Sequence, residues 1–567
     1  MVNSIYKQLS KERKELQGQG ELPEWYTTAA WQLFKSKYAV DGERPGVKSR
    51  FETIAKTLAQ YMPQDHLFWE MEFFNAMWKG WFSPSSPMLA NTGTDRGCSV
   101  SCSGGYVADS IDGFYSSSHE VALLTKHGFG TSTYLGDIRP RGAEISTGGT
   151  ASGVLPVVKN LTQVTRDVSQ GNVRRGAIAS YLDMGHDDFW EVINYLHKNP
   201  DDLNIGWNIY DKDVDLLNEG DEESHKRFKR MLKVKAETGK GYFFFPDKVN
   251  RANPPMYEEY GLKVNASNLC TEITLFSDEL NTFTCVLGSV NLAKYDEWED
   301  TNLILVATFM LDCLVEDFIQ KGQDIRGLEK AVRFTKESRA IGLGTLGFHT
   351  LLQKRGIAFE DIEAHMLNTK IFSSIKKQAS EASCTLAEEL GEPMLCKGFG
   401  VRNTHLLAIA PNMSSAILMG GVSQGIEPFV ANVFNQGSAA GELERINPEL
   451  LKLLKEKGKY TPEVIDSIIN NKGSVQHFDW LTEREKLVFK TAYEIDQRAI
   501  LRLASVRQKY ICQAQSINLF FDADEDEGYI AEIHKEAILD PYIKSLYYMR
   551  TLAGVQASKD ECVACQG

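Results

Sequence analysis

From Pro23 to Trp81 apolar residues return at the spacing of amphipathic helices, and aromatics supply much of the apolar face: Trp25, Trp31, Phe34, Tyr38, Trp69, Phe73, Phe74 and Trp78. No heptad pattern is sustained, and no segment repeats another. Ser83-Pro84-Ser85-Ser86-Pro87 ends the helical pattern, because proline fixes φ and lacks the N–H a continuing helix needs. From Asn91 to Ala177 glycine and small polar residues become dense, as in Gly136-Asp137-Ile138-Arg139-Pro140-Arg141-Gly142, Thr147-Gly148-Gly149-Thr150 and Ser169-Gln170-Gly171-Asn172-Val173-Arg174-Arg175-Gly176. Such stretches allow close backbone approach, and arginine amid glycine suits contacts to anions or bases, with ordinary surface loops as the competing reading. From Asn204 onward strand-like and helical stretches alternate, which predicts α/β architecture. The longest apolar runs, such as Leu303 to Met310, are too short to cross a bilayer.

Composition narrows the classes. The chain has 567 residues, 43% hydrophobic and 24% charged, which suits one very large globular domain or three of ordinary size. A net charge of −14 argues against non-specific binding to nucleic acid or anionic membranes, while leaving room for local basic clefts. Met1 to Gly20 is charged and polar rather than an apolar signal segment, so a cytoplasmic location is expected. Ten cysteines without an export signal favour metal, redox or catalytic roles over a static disulfide framework. Cys313, Cys384, Cys396 and Cys512 sit in helix-like apolar surroundings and read as packing residues. Six cysteines remain.

On an extended segment, side chains at i, i+2 and i+4 share a face. Asn268-Leu269-Cys270-Thr271-Glu272 would therefore bring an amide, a thiol and a carboxyl to one point. Another cysteine stands in Phe283-Thr284-Cys285-Val286-Leu287, and a third far upstream in Val100-Ser101-Cys102-Ser103-Gly104-Gly105. Taken singly, each also reads as a small buried hydrophobe. Pro411-Asn412-Met413-Ser414-Ser415-Ala416-Ile417-Leu418 puts two hydroxyls ahead of an apolar run. There they could join free backbone N–H groups around a phosphate, or serve as a simple helix cap. The flexible Gly420-Gly421-Val422-Ser423-Gln424-Gly425-Ile426-Glu427-Pro428 follows. Tyr547-Tyr548 is expected to set one ring on the packed side of a strand and the other on its exposed side. Finally, Cys562-Val563-Ala564-Cys565 follows the small, polar stretch Thr551 to Asp560, which would present two thiols on a tether.

Three apparent motifs carry no chemistry. Gly342-Leu343-Gly344-Thr345-Leu346-Gly347 has the GxGxxG form, but Lys336-Glu337-Ser338-Arg339 before it reads as a helix end rather than a strand, against a dinucleotide site. The acidic run Asp522 to Gly528 has its glycine at the seventh position and Ile533 at the twelfth, against a calcium loop. The eleven histidines form no HExxH and no paired-ligand spacing.

In order along the chain, SPMLANTGT, the SC ahead of VADSID, SQGNVRRGA, NLCTEI, FTCVLGSVNL, PNMSSAI, GIEPF, LYY and the terminal CxxC resemble the large catalytic (α) subunit of class I ribonucleotide reductase. The resemblance runs from about Ser83 to Gly567. It implies a helical region over 1–82, a ten-stranded α/β barrel over 83–550 with Cys270 on a loop through its centre, and a flexible redox-active tail over 551–567. It implies that Cys270 carries a thiyl radical that takes the 3′-hydrogen of a ribonucleoside diphosphate. Glu272 would accept the 3′-OH proton and Asn268 hold the substrate hydroxyls. Cys102 and Cys285 would be the reducing pair, with Ser86, Ser101, Ser414 and Ser415 on the substrate, the last two at its phosphates. Tyr547 and Tyr548 would be a stacked pair relaying oxidation from a metallocofactor in a separate β subunit, so that this chain binds no cofactor itself. Asp109, Ser169, Gln170 and Arg174 match the region where nucleoside triphosphate effectors bind at the interface of an α homodimer. Cys562 and Cys565 would re-reduce the active site and be recycled by thioredoxin or a glutaredoxin-like protein. Only 101 residues precede Cys102, so no ATP-cone is expected beside the helical region, nor shut-off by dATP.

Three other readings compete. A class II reductase would use adenosylcobalamin and need no β subunit, against which Tyr547-Tyr548 argues. A glycyl-radical reductase would carry its motif near the C-terminus, where none stands. A non-catalytic nucleotide-binding protein with zinc on Cys98, Cys102, Cys562 and Cys565 fits the CxxxC and CxxC spacings but leaves NLCTE and FTC without a role.

Overall fold

The computed structural model describes residues 2–170, 174–438 and 441–551. Four helices open the chain: Val2–Gly18, Thr28–Lys37, Lys48–Ala59 and His66–Trp78. Trp31, Phe34, Tyr38 and Phe73 are buried as the pattern predicts, whereas Trp25, Trp69, Phe74 and Trp78 are half-buried at the margin of the core.

Beyond Pro84 the strands form a ring of two halves. In the first, β1 (Cys102–Tyr106), β2 (Thr131–Tyr134), β3 (Ile178–Asp183), β4 (Ile205–Asn208) and β5 (Tyr242–Phe244) pair in that order, all parallel. In the second, β6 (Phe283–Asn291) pairs in parallel with β7 (Ile341–Leu346). Parallel bridges Leu343–Leu407 and Ile409–Gln515 carry the sheet across residues 405–409 to residues 513–516. That segment runs on into β8 (Leu519–Phe521), which pairs in parallel with β10 (Met549–Thr551), just after β9 (Ser545–Leu546). The halves meet antiparallel at both seams, β1 against β6 and β5 against β9. With 405–409, 513–521 and 545–551 taken as one stave each, ten staves close the barrel, as the resemblance implies.

Closure separates two cores. Outside, helices pack on the strands; Leu303–Gly322 lies between the barrel and the long helix Ile362–Leu390 and is therefore buried on nearly every side. Inside, Tyr181, Phe244, Phe283 and Cys285 from the staves pack against Leu269, Ile273, Leu275 and Phe276 of the loop between β5 and β6. Of the GxGxxG glycines, Gly342 and Gly344 lie within β7 itself, directly after the helix Glu329–Ser338, and Gly347 stands at the N-cap of the helix Phe348–Lys354, so the first two form no phosphate loop between a strand and a helix. A Cβ on Gly342 would stand 2.4 Å from Leu287 Cδ2 and 3.1 Å from Cys285 Sγ; glycine there leaves room for the thiol. Cys512 departs from the sequence reading: it is not on a helix but in the non-helical segment after Gln497–Gln508, half-buried. Among the described residues, no helix is long and apolar enough to cross a membrane.

Candidate active site

The loop carrying Asn268, Cys270 and Glu272 runs through the barrel without regular structure, so its buried backbone groups need partners from the wall or from the loop's own side chains. Tyr181 Oη donates to Asn268 O at 2.6 Å, and Ser545 Oγ donates to Thr271 O at 3.0 Å. Ala514 N–H donates to Glu272 O at 2.9 Å, while Asn268 Oδ1 accepts from Ile273 N–H at 3.1 Å. Thr271 is held at φ +69°, a left-handed conformation worth about 1–2 kcal/mol of strain in a residue with a Cβ, and these bonds sustain it. The loop is thus turned rather than extended. Two of its three groups, the Asn268 amide and the Glu272 carboxyl, still converge, but by way of the turn and not by strand alternation.

What they converge on is Cys102. Asn268 Nδ2 lies 3.1 Å from Cys102 Sγ, and that sulfur lies 4.0 Å from Glu272 Oε1. Cys102 stands directly opposite Cys285 in the antiparallel β1–β6 register. Directly opposed residues have Cα atoms about 4.5–5.5 Å apart, within disulfide range, so the two thiols can join with little backbone movement. Both are free thiols here. Burial, and next the neighbouring Cys102, pushes the Cys285 thiol well above its ordinary range, so it stays protonated. Gln513 reaches the same sulfur with Nε2 at 3.9 Å and accepts from Thr274 N–H with Oε1, tying pair and loop together.

On the other side of the loop, Tyr547 Oη donates to Cys270 Sγ at 3.6 Å. The chain leaves strand geometry between β9 and β10, so Tyr547 and Tyr548 do not fall on opposite faces as alternation predicts. Their ring centroids lie 4.0 Å apart, tilted by 47° rather than stacked flat. Tyr547 is buried and Tyr548 half-buried, so the pair steps from the outside toward Cys270. Tyr242 completes a trio that the sequence did not reveal. Its ring centroid is 4.8 Å from that of Tyr547, and its hydroxyl donates to Tyr548 Oη at 3.2 Å. The buried Lys235 ammonium donates to the Tyr547 carbonyl, and burial pushes its pKa down to about 7. Neither residue has a local sequence signature; Tyr242 reads as one more apolar strand position.

The other expected residues are placed as follows. Ser101, Ser414 and Ser415 are all buried. Ser414 and Ser415 lie in the first turn of the helix Met413–Leu418, but Asn412 rather than a serine holds the N-cap position, its Nδ2 donating to Thr345 O and its Oδ1 accepting from Ser289 Oγ. Ser86 Oγ is engaged with Tyr38 Oη at 2.8 Å. Asp109 accepts from Arg139 Nε at 2.6 Å. Ser169–Gln170 and Arg174–Arg175 pair as short antiparallel strands. Cys562 and Cys565 lie outside the described residues. Among the described residues, no group of three or more potential ligands could hold a metal ion.

A ten-stave barrel that threads one cysteine loop past a cross-strand cysteine pair defines a class of barrel reductase, and comparison with known proteins agrees. The family model for the ribonucleotide reductase barrel domain matches residues 100–225, 208–399 and 394–549, and that for the ribonucleotide reductase all-alpha domain matches residues 24–97. The chain belongs to the ribonucleotide reductase family and is a large subunit. It is 30% identical over 629 residues to the ribonucleoside-diphosphate reductase large subunit of Invertebrate iridescent virus 3, covering 94% of this chain and 97% of that one. Its similarity to the Danio rerio ribonucleoside-diphosphate reductase large subunit is 30% over 567 residues, covering 85% and 70% respectively. The solved Actinobacillus ureae class Id ribonucleotide reductase alpha subunit superposes with a TM-score of 0.86 at 37% identity, covering 94% of this chain and 98% of that one.

Proposed function

We propose that this chain reduces ribonucleoside diphosphates to 2′-deoxyribonucleotides for DNA synthesis by thiyl-radical chemistry, with a separate small subunit supplying the oxidising equivalent. The observation that carries this reading is a single loop that meets the hydroxyl of Tyr547 through Cys270 and the opposed Cys102–Cys285 pair through Asn268 and Glu272.

The residues divide the work. Tyr548 and then Tyr547 pass the oxidation inward, and Cys270 gives up its S–H hydrogen to the oxidised Tyr547. The Cys270 thiyl takes the ribose 3′-hydrogen, forming S–H as C–H breaks, while Glu272 accepts the 3′-OH proton. Asn268 holds the hydroxyls. The 2′-hydroxyl leaves as water on a proton from Cys102. Cys102 and Cys285 together supply two electrons and become a disulfide, the remaining thiol hydrogen of the pair going to C2′ where the hydroxyl left; Glu272 returns its proton to the 3′-oxygen, and Cys270 returns its hydrogen to C3′ and recovers the thiyl. Ser86, Ser101, Ser414 and Ser415 bind substrate, the last two at its phosphates. Asp109, Ser169, Gln170 and Arg174 receive the effector at a homodimer interface. Cys562 and Cys565 reopen the disulfide by exchange and are themselves reduced by a thioredoxin-like protein. The deciding assay is CDP reduction with a radical-bearing small subunit, without it, and with adenosylcobalamin in its place. Activity only with the small subunit is expected; activity with adenosylcobalamin alone would overturn the assignment.

A further inference from the structure

On the outer side of the wall, away from Cys270, a cleft of about 560 Å³ is lined by Lys248, Lys376, Lys509, Lys544, Cys512 and Tyr542, among others, and by no carboxylate. In a chain of net charge −14, four lysines converging without acidic partners need an explanation. Lys248 and Lys544 are buried, at 7% and 2% exposure. Lys248 Nζ donates to Ala537 O at 3.1 Å and Ile538 O at 2.7 Å, and Lys544 Nζ donates to Cys512 O at 2.7 Å and Gln513 O at 2.9 Å. An ammonium has three N–H donors, so each keeps one that no described residue takes. Lys376 and Lys509 form no ion pair among the described residues, and Lys509 instead lies over the Tyr542 ring at 4.7 Å. The carboxylates nearest Lys248 are committed elsewhere: Asp211 pairs with Arg251, and Asp540 accepts from the N–H groups of Tyr542 and Ile543.

We propose that this cleft is an anion site for a short phosphate chain, free or carried by a nucleotide. Two buried ammoniums at its floor and two more at its rim, Lys376 half-buried and Lys509 exposed, match several phosphate oxygens at once, and Tyr510 and Tyr542 offer aromatic faces to a base. Burial holds Lys248 down to about 7, against the opposing pull of Asp540 and Asp211 and with a smaller push from Arg251, and holds Lys544 down to about 8, against Cys512 and with Lys376 adding to the effect. A bound anion recharges both, so binding takes up protons near neutral pH. The site touches the catalytic machinery through one segment, because Lys544 holds the carbonyl of Gln513, whose amide contacts Cys285 and the Cys270 loop.

Cys512 reports occupancy directly, since it lines the cleft and is half-buried, whereas Cys384, also half-buried, does not line it. The test is the alkylation rate of each cysteine in the full-length chain, read by peptide mass spectrometry at low salt, with inorganic pyrophosphate and separately with ATP. Slowing at Cys512 but not at Cys384 is expected. The half-protecting concentration should rise about tenfold in the Lys376→Ala/Lys509→Ala variant, the sum of one half-buried and one exposed charge contact. Protection by ATP at lower concentration than by pyrophosphate identifies a nucleotide site; equal or weaker protection identifies a site for the phosphate chain alone. An unchanged Cys512 rate with both probes, or protection that persists undiminished in the double variant, overturns the proposal.

Discussion

Tyr547→Phe removes one oxygen from the proposed relay and little else. The ring still packs against Tyr242 and Tyr548, and Lys235 still holds the backbone carbonyl. The hydroxyl gives up its hydrogen bond to sulfur, at 3.6 Å a weak one, worth at most about 1 kcal/mol. For a domain this large, that lowers Tm by no more than about 2 °C. The functional loss is of another order. A phenylalanine ring has no O–H proton to give up with its electron, so oxidation arriving at Tyr548 has no next carrier before Cys270. A fall in turnover of at least about 1,000-fold is expected, which corresponds to about 4 kcal/mol of barrier. The assay is CDP reduction with excess small subunit, beside a thermal melt and a calorimetric measurement of CDP affinity, both of which should match the parent chain. Turnover within about tenfold of the parent would refute the relay, since no other route could then depend on that hydroxyl.

Cys270→Ser should abolish turnover while leaving substrate and effector affinity intact, because an alcohol O–H is too strong to exchange with a ribose C–H; Glu272→Gln should likewise bind but lose most of the rate, and substantial dCDP formation by the serine variant would sink the thiyl mechanism. Gly342→Ala forces a methyl against Leu287 and Cys285, so a cost of about 1–3 kcal/mol and a lower turnover are expected; a melt and rate equal to the parent's would show that β7 can give way. Burial pushes Glu427 up to about 7, against an unfolded value of about 4.3, although Arg550 and Asn518 pull the other way. Between those values the folded state holds a proton that the unfolded state has lost, so Glu427 weakens the fold increasingly as pH rises from about 4 to 7. Glu427→Gln should therefore raise stability by up to about 3 kcal/mol above pH 7 and by little at pH 4.5, and a difference that does not grow with pH would contradict this. Replacing Cys562 and Cys565 with serine should stop repeated turnover with thioredoxin but spare a limited burst from the pre-reduced enzyme, while a small dithiol partly restores cycling; normal cycling of the double variant would assign the tail another purpose.

Much of this chemistry was legible along the chain because it depends on side chains that local sequence cannot easily produce by accident in one order: a cysteine between Asn268 and Glu272, two further cysteines on strand-like runs, and paired tyrosines before a terminal CxxC. The helical opening and the α/β alternation were legible too, since burial of one face imposes a period on the sequence. Tertiary structure alone decided which cysteines meet. The opposition of Cys102 and Cys285 is a matter of strand register across 183 positions of chain, and register is set by packing of the closed barrel rather than by either segment. The same holds where the reading failed. Alternation assumed that the segments from Asn268 to Glu272 and around Tyr547-Tyr548 were regular strands. The barrel wall instead satisfies their backbone groups in a turn with Thr271 left-handed, and a break in the strand brings the two tyrosine rings together. Tyr242, Lys235, Gln513 and the lysines around Cys512 carry no local signature at all, because each acts only through neighbours that closure of the ring brings to it.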